Sequence, residues 1–134
     1  MRNGSIAGFG TGVALGGDGS IVEGLRVFDG FVVGIGATGI VKGNTVVGIA
    51  DGPGRGTGIS ATGIVTGNYV VASRLADYEI GRGSTVIGNT AVGGDGAPGI
   101  GFIVACPSNV TDNTALNGLI LEGNGCNNTN NVAP

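Results

Sequence analysis

Histidine and tryptophan are missing from this chain of 134 residues, cysteine occurs twice, and Lys42 is the only lysine. With no His and only Cys106 and Cys126, a four-ligand zinc site would have to borrow carboxylates, so no metal centre of that kind is expected. The same shortage removes most nucleophilic chemistry, which needs a nearby base or an activated thiol. Six Lys and Arg stand against nine Asp and Glu, for a net charge of −3, and no basic run exists. Nucleic-acid binding depends on clustered cations that neutralise phosphates, so that class is set aside. No apolar stretch reaches the roughly 20 residues of a membrane span. The opening Met1-Arg2-Asn3-Gly4-Ser5-Ile6 has no hydrophobic signal core. The protein is therefore either cytoplasmic or exported with its signal removed upstream.

What the chain does have is glycine, at 31 positions. Each interior glycine disfavours a helix by about 1 kcal/mol relative to alanine, which argues against long helices. Collagen would need Gly at every third position, and that period is absent. A hydrophobic fraction of 41% with only 11% charged residues predicts a folded chain rather than a disordered one. The apolar residues are mostly Val and Ile, which favour strands.

These residues recur in a frame, V-x-G-N-x-V. It reads Val41-Lys42-Gly43-Asn44-Thr45-Val46, Val65-Thr66-Gly67-Asn68-Tyr69-Val70, Val86-Ile87-Gly88-Asn89-Thr90-Ala91 and Val110-Thr111-Asp112-Asn113-Thr114-Ala115, with Val22-Glu23-Gly24-Leu25-Arg26-Val27 as a Leu variant. The anchors Leu25, Asn44, Asn68, Asn89 and Asn113 are 19, 24, 21 and 24 residues apart. A motif at that period marks a solenoid. The flanking apolar positions predict two inward columns on two strands. Gly, or Asp at 112, stands before each anchor, where a left-handed corner selects it. A further apolar segment follows in each repeat, at Gly12-Val13-Ala14-Leu15, Phe31-Val32-Val33, Gly58-Ile59, Glu79-Ile80, Phe102-Ile103-Val104 and Leu119-Ile120-Leu121. The expectation is one all-β domain over residues 1–134, a single-stranded right-handed parallel β-helix of about six coils. Each strand would pair with its equivalent about 4.8 Å along the axis.

Stacking puts like on like. Asn carries a donor and an acceptor, so Asn44, Asn68, Asn89 and Asn113 can pass hydrogen bonds from coil to coil as a structural ladder. Ile6-Ala7-Gly8-Phe9 fits the same frame, and Phe9 with Leu25 would continue the column as apolar stacking. Cys106 and Cys126 lie 20 residues apart, about one coil, within the separation a disulfide accepts. A bridge is predicted that pins the tail, residues 127–134, over the open end. It would imply an oxidising compartment. Two buried thiols are the alternative.

These repeats resemble the right-handed parallel β-helix repeat proteins of the pectate-lyase-like superfamily. The likeness covers nearly the whole chain. The ending, from Cys106-Pro107-Ser108-Asn109-Val110 through Gly123-Asn124-Gly125-Cys126 to Pro134, is similar to that of bacterial members, and the resemblance implies Pro134 as a natural C-terminus. It also implies an extracytoplasmic, secreted, periplasmic or cell-surface location. Better-known relatives act on acidic polysaccharides, and many others have no assigned activity.

A lyase of that superfamily typically needs acidic calcium ligands with an Arg or Lys base, and a glycosidase needs paired carboxylates. Asp29, Asp51, Asp77 and Asp95 follow their anchors by 4, 7, 9 and 6 residues, and so predict an acidic edge in successive turns, with Arg55 and Arg74 beside it. Asp51, Arg55, Arg74, Asp77 and Asp95 are the candidate catalytic residues. A solvated rim with surface ion pairs is the structural alternative. No Asp-Asp, Asp-x-Asp or Arg-x-x-Arg cluster appears. Gly16-Gly17-Asp18-Gly19 and Gly93-Gly94-Asp95-Gly96 resemble calcium-binding turns superficially, but the Asp offset is wrong and tandem copies are missing. No cofactor is expected. Tyr69, Tyr78, Phe28 and Phe31 are the rings expected at the surface for carbohydrate. Thr45, Thr90 and Thr114 form an outward Thr column of the kind an ice-binding face would use, interrupted by Arg26 and Tyr69. An uncapped first coil around Ile6, Phe9 and Val13 predicts homo-oligomers through the N-terminal end, unless the chain is the C-terminal part of a longer native solenoid. Three functions are carried. A non-catalytic structural or binding scaffold comes first, then a polysaccharide lyase or hydrolase, then an ice- or surface-binding protein.

Overall fold

The structure, a computed structural model, describes residues 1–49, 56–93 and 99–133. The repeats wind into an all-β solenoid of about five turns, close to the expected six. The described strands are β1 (Arg2–Lys42), β2 (Thr45–Ile49), β3 (Thr57–Thr66), β4 (Tyr69–Val71), β5 (Ala76–Ile80), β6 (Thr85–Ile87), β7 (Thr90–Val92), β8 (Ile100–Ala105), β9 (Asn109–Thr111), β10 (Thr114–Ala115), β11 (Leu119–Glu122) and β12 (Asn127–Thr129). Every pairing between them is parallel. Three faces result. Face I joins residues 40–42 of β1 and 64–66 of β3 to β6, β9 and β12. Face II joins residues 26–28 of β1 to β2, β4, β7 and β10. Face III joins residues 33–38 of β1 and 57–61 of β3 to β5, β8 and β11.

The core is the stack of inward columns the repeat predicts. Val22, Val41, Val65, Val86 and Val110 are fully buried, as are Val46, Val70 and Ala91. The corner between faces I and II uses left-handed residues in every turn: Gly24, Gly43, Gly67, Gly88 and Asp112 have φ of 64°, 60°, 61°, 62° and 56°. Helical or extended backbone cannot make this corner, and glycine adopts it without a Cβ penalty.

The register of the first pass differs from the expected one. The Met1 amino group donates to the Ile21 carbonyl and Glu23 N–H donates to the Met1 carbonyl, so Met1 pairs with Val22. Asn3 then stacks on Gly24, with φ of 49°, and Gly4 on Leu25. Gly8-Phe9 belongs to a second left-handed corner, with Asp29, Gly48 and Ala72 at φ of 56°, 67° and 63°. Phe9 packs over Gly30 rather than continuing the Asn column. Both corners place a left-handed residue just before an inward one, so the two look alike in sequence. Face III is entered at Val33, which pairs with Thr57, and continues through Gly34-Ile35-Gly36 rather than resting on Phe31-Val32: Ile35 pairs with Ile59, Ile59 with Tyr78 and Tyr78 with Phe102.

The tail also departs from expectation. It is not a lid over the end. Asn127 to Thr129 pair in register with Asn109 to Thr111, and Val132 bridges to Thr114, so the tail adds one more rung.

Candidate functional site

The inward asparagines form a continuous file. Each Asn side-chain oxygen accepts from the backbone N–H and the amide of the preceding rung: Asn68 Oδ1 from Asn44 at 2.9 Å and 2.9 Å, Asn89 Oδ1 from Asn68 at 3.0 Å and 2.9 Å, and Asn113 Oδ1 from Asn89 at 2.9 Å and 3.0 Å. Each amide also donates to a strand carbonyl one turn back, Val22, Val41, Val65 and Val86 in order. The file begins at Leu25, whose N–H donates to Asn44 Oδ1, and extends to Asn131, which accepts from Asn113. Asn131 escaped sequence reading because Asn128 replaces the Val that precedes the other anchors by three. Its usable signal was Asn130-Asn131, with Asn130 in the left-handed corner at φ of 54°. All of this chemistry holds coils together, so these residues are structural.

Cys106 and Cys126 form the disulfide, with Cα atoms 5.0 Å apart. They do not share one column. Cys126 follows the Ser108 position and Cys106 pairs toward Glu122, so the bridge crosses the corner between faces III and I.

Among the candidate catalytic residues, Asp51, Arg55 and Asp95 lie outside the described residues, as does Pro134. The others are not one vertical file. Asp29 is exposed at the second corner, opposite Gly48, whereas Asp77 lies within β5 between Gly58 and Gly101. Arg74 is exposed in the bend between β4 and β5. Asp77 is therefore no rim residue: it is 1% exposed. It interrupts a file of glycines, Gly12, Gly34, Gly58, Gly101 and Gly118, in which a side chain at position 58 would strike Val70 and Ser73. The carboxyl folds back so that Oδ1 accepts the Ser73 N–H at 3.1 Å, while Oδ2 and the Ser73 hydroxyl are buried without partners. Tyr78 is likewise buried rather than offered to carbohydrate. It stacks on Phe102 at 4.2 Å, and its hydroxyl lies 2.8 Å from the Asn68 carbonyl oxygen and 3.1 Å from that of Thr90. Burial, then the charge of Asp77, raises its pKa well above the ordinary tyrosine value. Phe28 and Tyr69 are exposed as expected.

Burial pushes the Asp77 carboxyl up to about 6 from 3.8, against the opposing pull of the Ser73 N–H. The folded state thus holds this proton more tightly than the unfolded chain. Its contribution to stability is complete below about pH 4 and is lost as pH rises through about 6. That difference between the folded and unfolded carboxyl is worth roughly 3 kcal/mol. Denaturant melts from pH 4 to 7.5 should show the wild type losing roughly this much relative to Asp77→Asn. Parallel profiles for the two proteins would show that the carboxyl is solvated after all.

Face III carries a shallow trough of about 620 Å³, in which Glu79 and Glu122 stand among Thr38, Ser60 and Thr62. Face II carries a hollow of about 300 Å³ lined by Arg26, Val27, Phe28, Asp29, Thr45 and Val47. Among the described residues no three acidic, Cys or His groups come together as metal ligands. No helix among them is long and apolar enough to cross a membrane. The architecture defines the class of protein as a parallel β-solenoid. No family model, no curated protein and no solved structure matches the chain.

Proposed function

We propose that this chain is a non-catalytic β-solenoid scaffold, exported to an oxidising compartment, which works by presenting rigid strand faces for binding, copies of itself included. The observation that carries this reading is the division of labour between inward and outward groups. The inward asparagines are fully engaged in the ladder. The outward faces show exposed apolar side chains, among them Phe28, Val47, Ile64, Tyr69 and Leu116. Exposed apolar surface of this kind marks contact sites. The disulfide supports the compartment.

A second reading rests on Asp77. A buried carboxyl with an unpartnered oxygen and a pKa near 6 is the kind of group an acid–base enzyme uses, and the sequence resemblance points to acidic polysaccharides. Incubation with polygalacturonate and with alginate, monitored for unsaturated products and reducing ends, separates the two. The scaffold reading expects no turnover. Cleavage that disappears in Asp77→Asn would replace it with the enzyme.

A further inference from the structure

Face II is built as two outward columns of opposite character. Arg26, Thr45, Tyr69, Thr90 and Thr114 stack in one column. Phe28, Val47, Val71 and Val92 stack in the other, and Leu116 follows in the last turn. Phe28 is 37%, Val47 40% and Leu116 50% exposed, and Val71 and Val92 between them are half-buried, so each of these rungs of the apolar column has surface to offer. Near the top it borders the hollow beside Phe28 and Val47. Near the bottom it carries its most exposed side chain, Leu116. Charge stands at both ends. Arg26 lines the hollow on the side of the hydroxyl column, with Asp29 on the other side beyond Phe28, and Asp112 is exposed at the corner two residues before Thr114, on the same side as Arg26.

We propose that face II is the interface for a second copy of this chain, packed face to face with the solenoid axes antiparallel about a twofold along the strands through the row of Tyr69 and Val71. This rests on the scaffold reading and names its partner. A twofold in that direction reverses the order of the turns and keeps each column opposite its own counterpart. Val71 then meets Val71 of the other copy and Val47 meets Val92. Leu116 enters the hollow beside Phe28, and Arg26 approaches the Asp112 corner. Each end of the face offers what the other lacks, which is the condition for an isologous contact. A twofold along the solenoid axis would set the apolar column against the hydroxyl column and leave both Arg26 side chains at one end.

The five rows from Arg26 to Leu116, at about 4.8 Å spacing and each contributing two outward residues, make a small face, with the first pass above them and the Val132 rung below. It falls at the low end of specific interfaces, so the dimer should dissociate in the micromolar range. The assignment differs from the N-terminal end suggested by the repeat pattern, because face II has matched shape and charge at its two ends.

Sedimentation velocity of the full chain over about 5–500 μM, a span chosen to bracket micromolar dissociation, is the test. The expected result is a concentration-dependent dimer that Val71→Glu abolishes. Arg26→Asp and Asp112→Lys should each weaken it about tenfold, by setting like charges together. An equimolar mixture of those two variants should recover it, because both cross-copy pairs are then opposite in sign. If Asp112→Lys does not fold, Val71→Glu and Arg26→Asp still decide. A monomer at every concentration overturns the proposal, as does an assembly insensitive to Val71→Glu, or an open-ended polymer. A monomer that leaves polysaccharides intact defeats the interface but not the scaffold, whereas polysaccharide cleavage defeats the scaffold whatever the oligomeric state.

Discussion

Asn68→Ala is expected to lower stability by about 3–6 kcal/mol, a large share of what holds a domain of this size folded. The Asn68 side chain makes four hydrogen bonds in the middle of the stack. It accepts from Asn44 N–H and Asn44 Nδ2, and it donates to the Val41 carbonyl and to Asn89 Oδ1. Alanine returns none of them. The Asn44 N–H and one hydrogen of the Asn44 amide would remain buried without an acceptor, each costing about 1–3 kcal/mol, and the lost volume adds to this. Leucine at this position would fill the space and leave the same orphans. Leu25 tolerates an apolar side chain because it tops the file, where the Gly4 above it is exposed to solvent rather than buried. Urea melts of Asn68→Ala beside Tyr69→Ala, its exposed neighbour, make the measurement. The two variants melting within about 1 kcal/mol of each other would show that the file contributes little.

Reduction of Cys106–Cys126 is expected to cost about 3 kcal/mol, and to act locally. The bridge closes a loop with a sequence separation of 20, and loops of that order restrict the unfolded chain by roughly this amount. A solenoid's turns contact mainly their neighbours, so an opening at one end need not spread. The last turn is also the thinnest. The β12 side chains are all exposed, and Leu119 and Leu121 are only half-buried. Hydrogen exchange in the Cys106→Ala/Cys126→Ala variant should therefore show lost protection in β9 to β12 while β2 to β4 stay near wild type. Free thiols in the unreduced protein, or an unchanged melting midpoint on reduction, would sink this expectation.

Much of the architecture was legible because the frame V-x-G-N-x-V carries two physical demands at once. Gly43, Gly67 and Gly88 meet the corner's positive φ, and the following Asn meets the buried polar requirement of the same corner. Where a position met only one demand, the reading slipped. Gly8-Phe9 satisfied the left-handed requirement and was placed at the wrong corner, since Asp29 and Gly48 show that a second corner asks for the same conformation. Asn131 kept the polar role without the preceding Val and was missed. Asp77 looks like a turn acid in the sequence because nothing in its neighbours, Ala76 and Tyr78, distinguishes a strand residue in a glycine file from a rim residue. Its burial follows from Gly58 and Gly101, a turn away on either side, which no local pattern contains.

By itself the sequence determined the all-β class, the period and the ladder of Asn44, Asn68, Asn89 and Asn113, and it placed the two cysteines about one coil apart, where the structure forms the bridge. Each of these depends on a short segment meeting a copy of itself one turn away, so local pattern and tertiary neighbour carry the same information. Only the tertiary structure decided the register of the first pass, the burial of Asp77 and Tyr78, and the matched ends of face II. Those depend on which unlike residues the winding brings together, and a repeat fixes the partners of its equivalent positions but not of the residues between them.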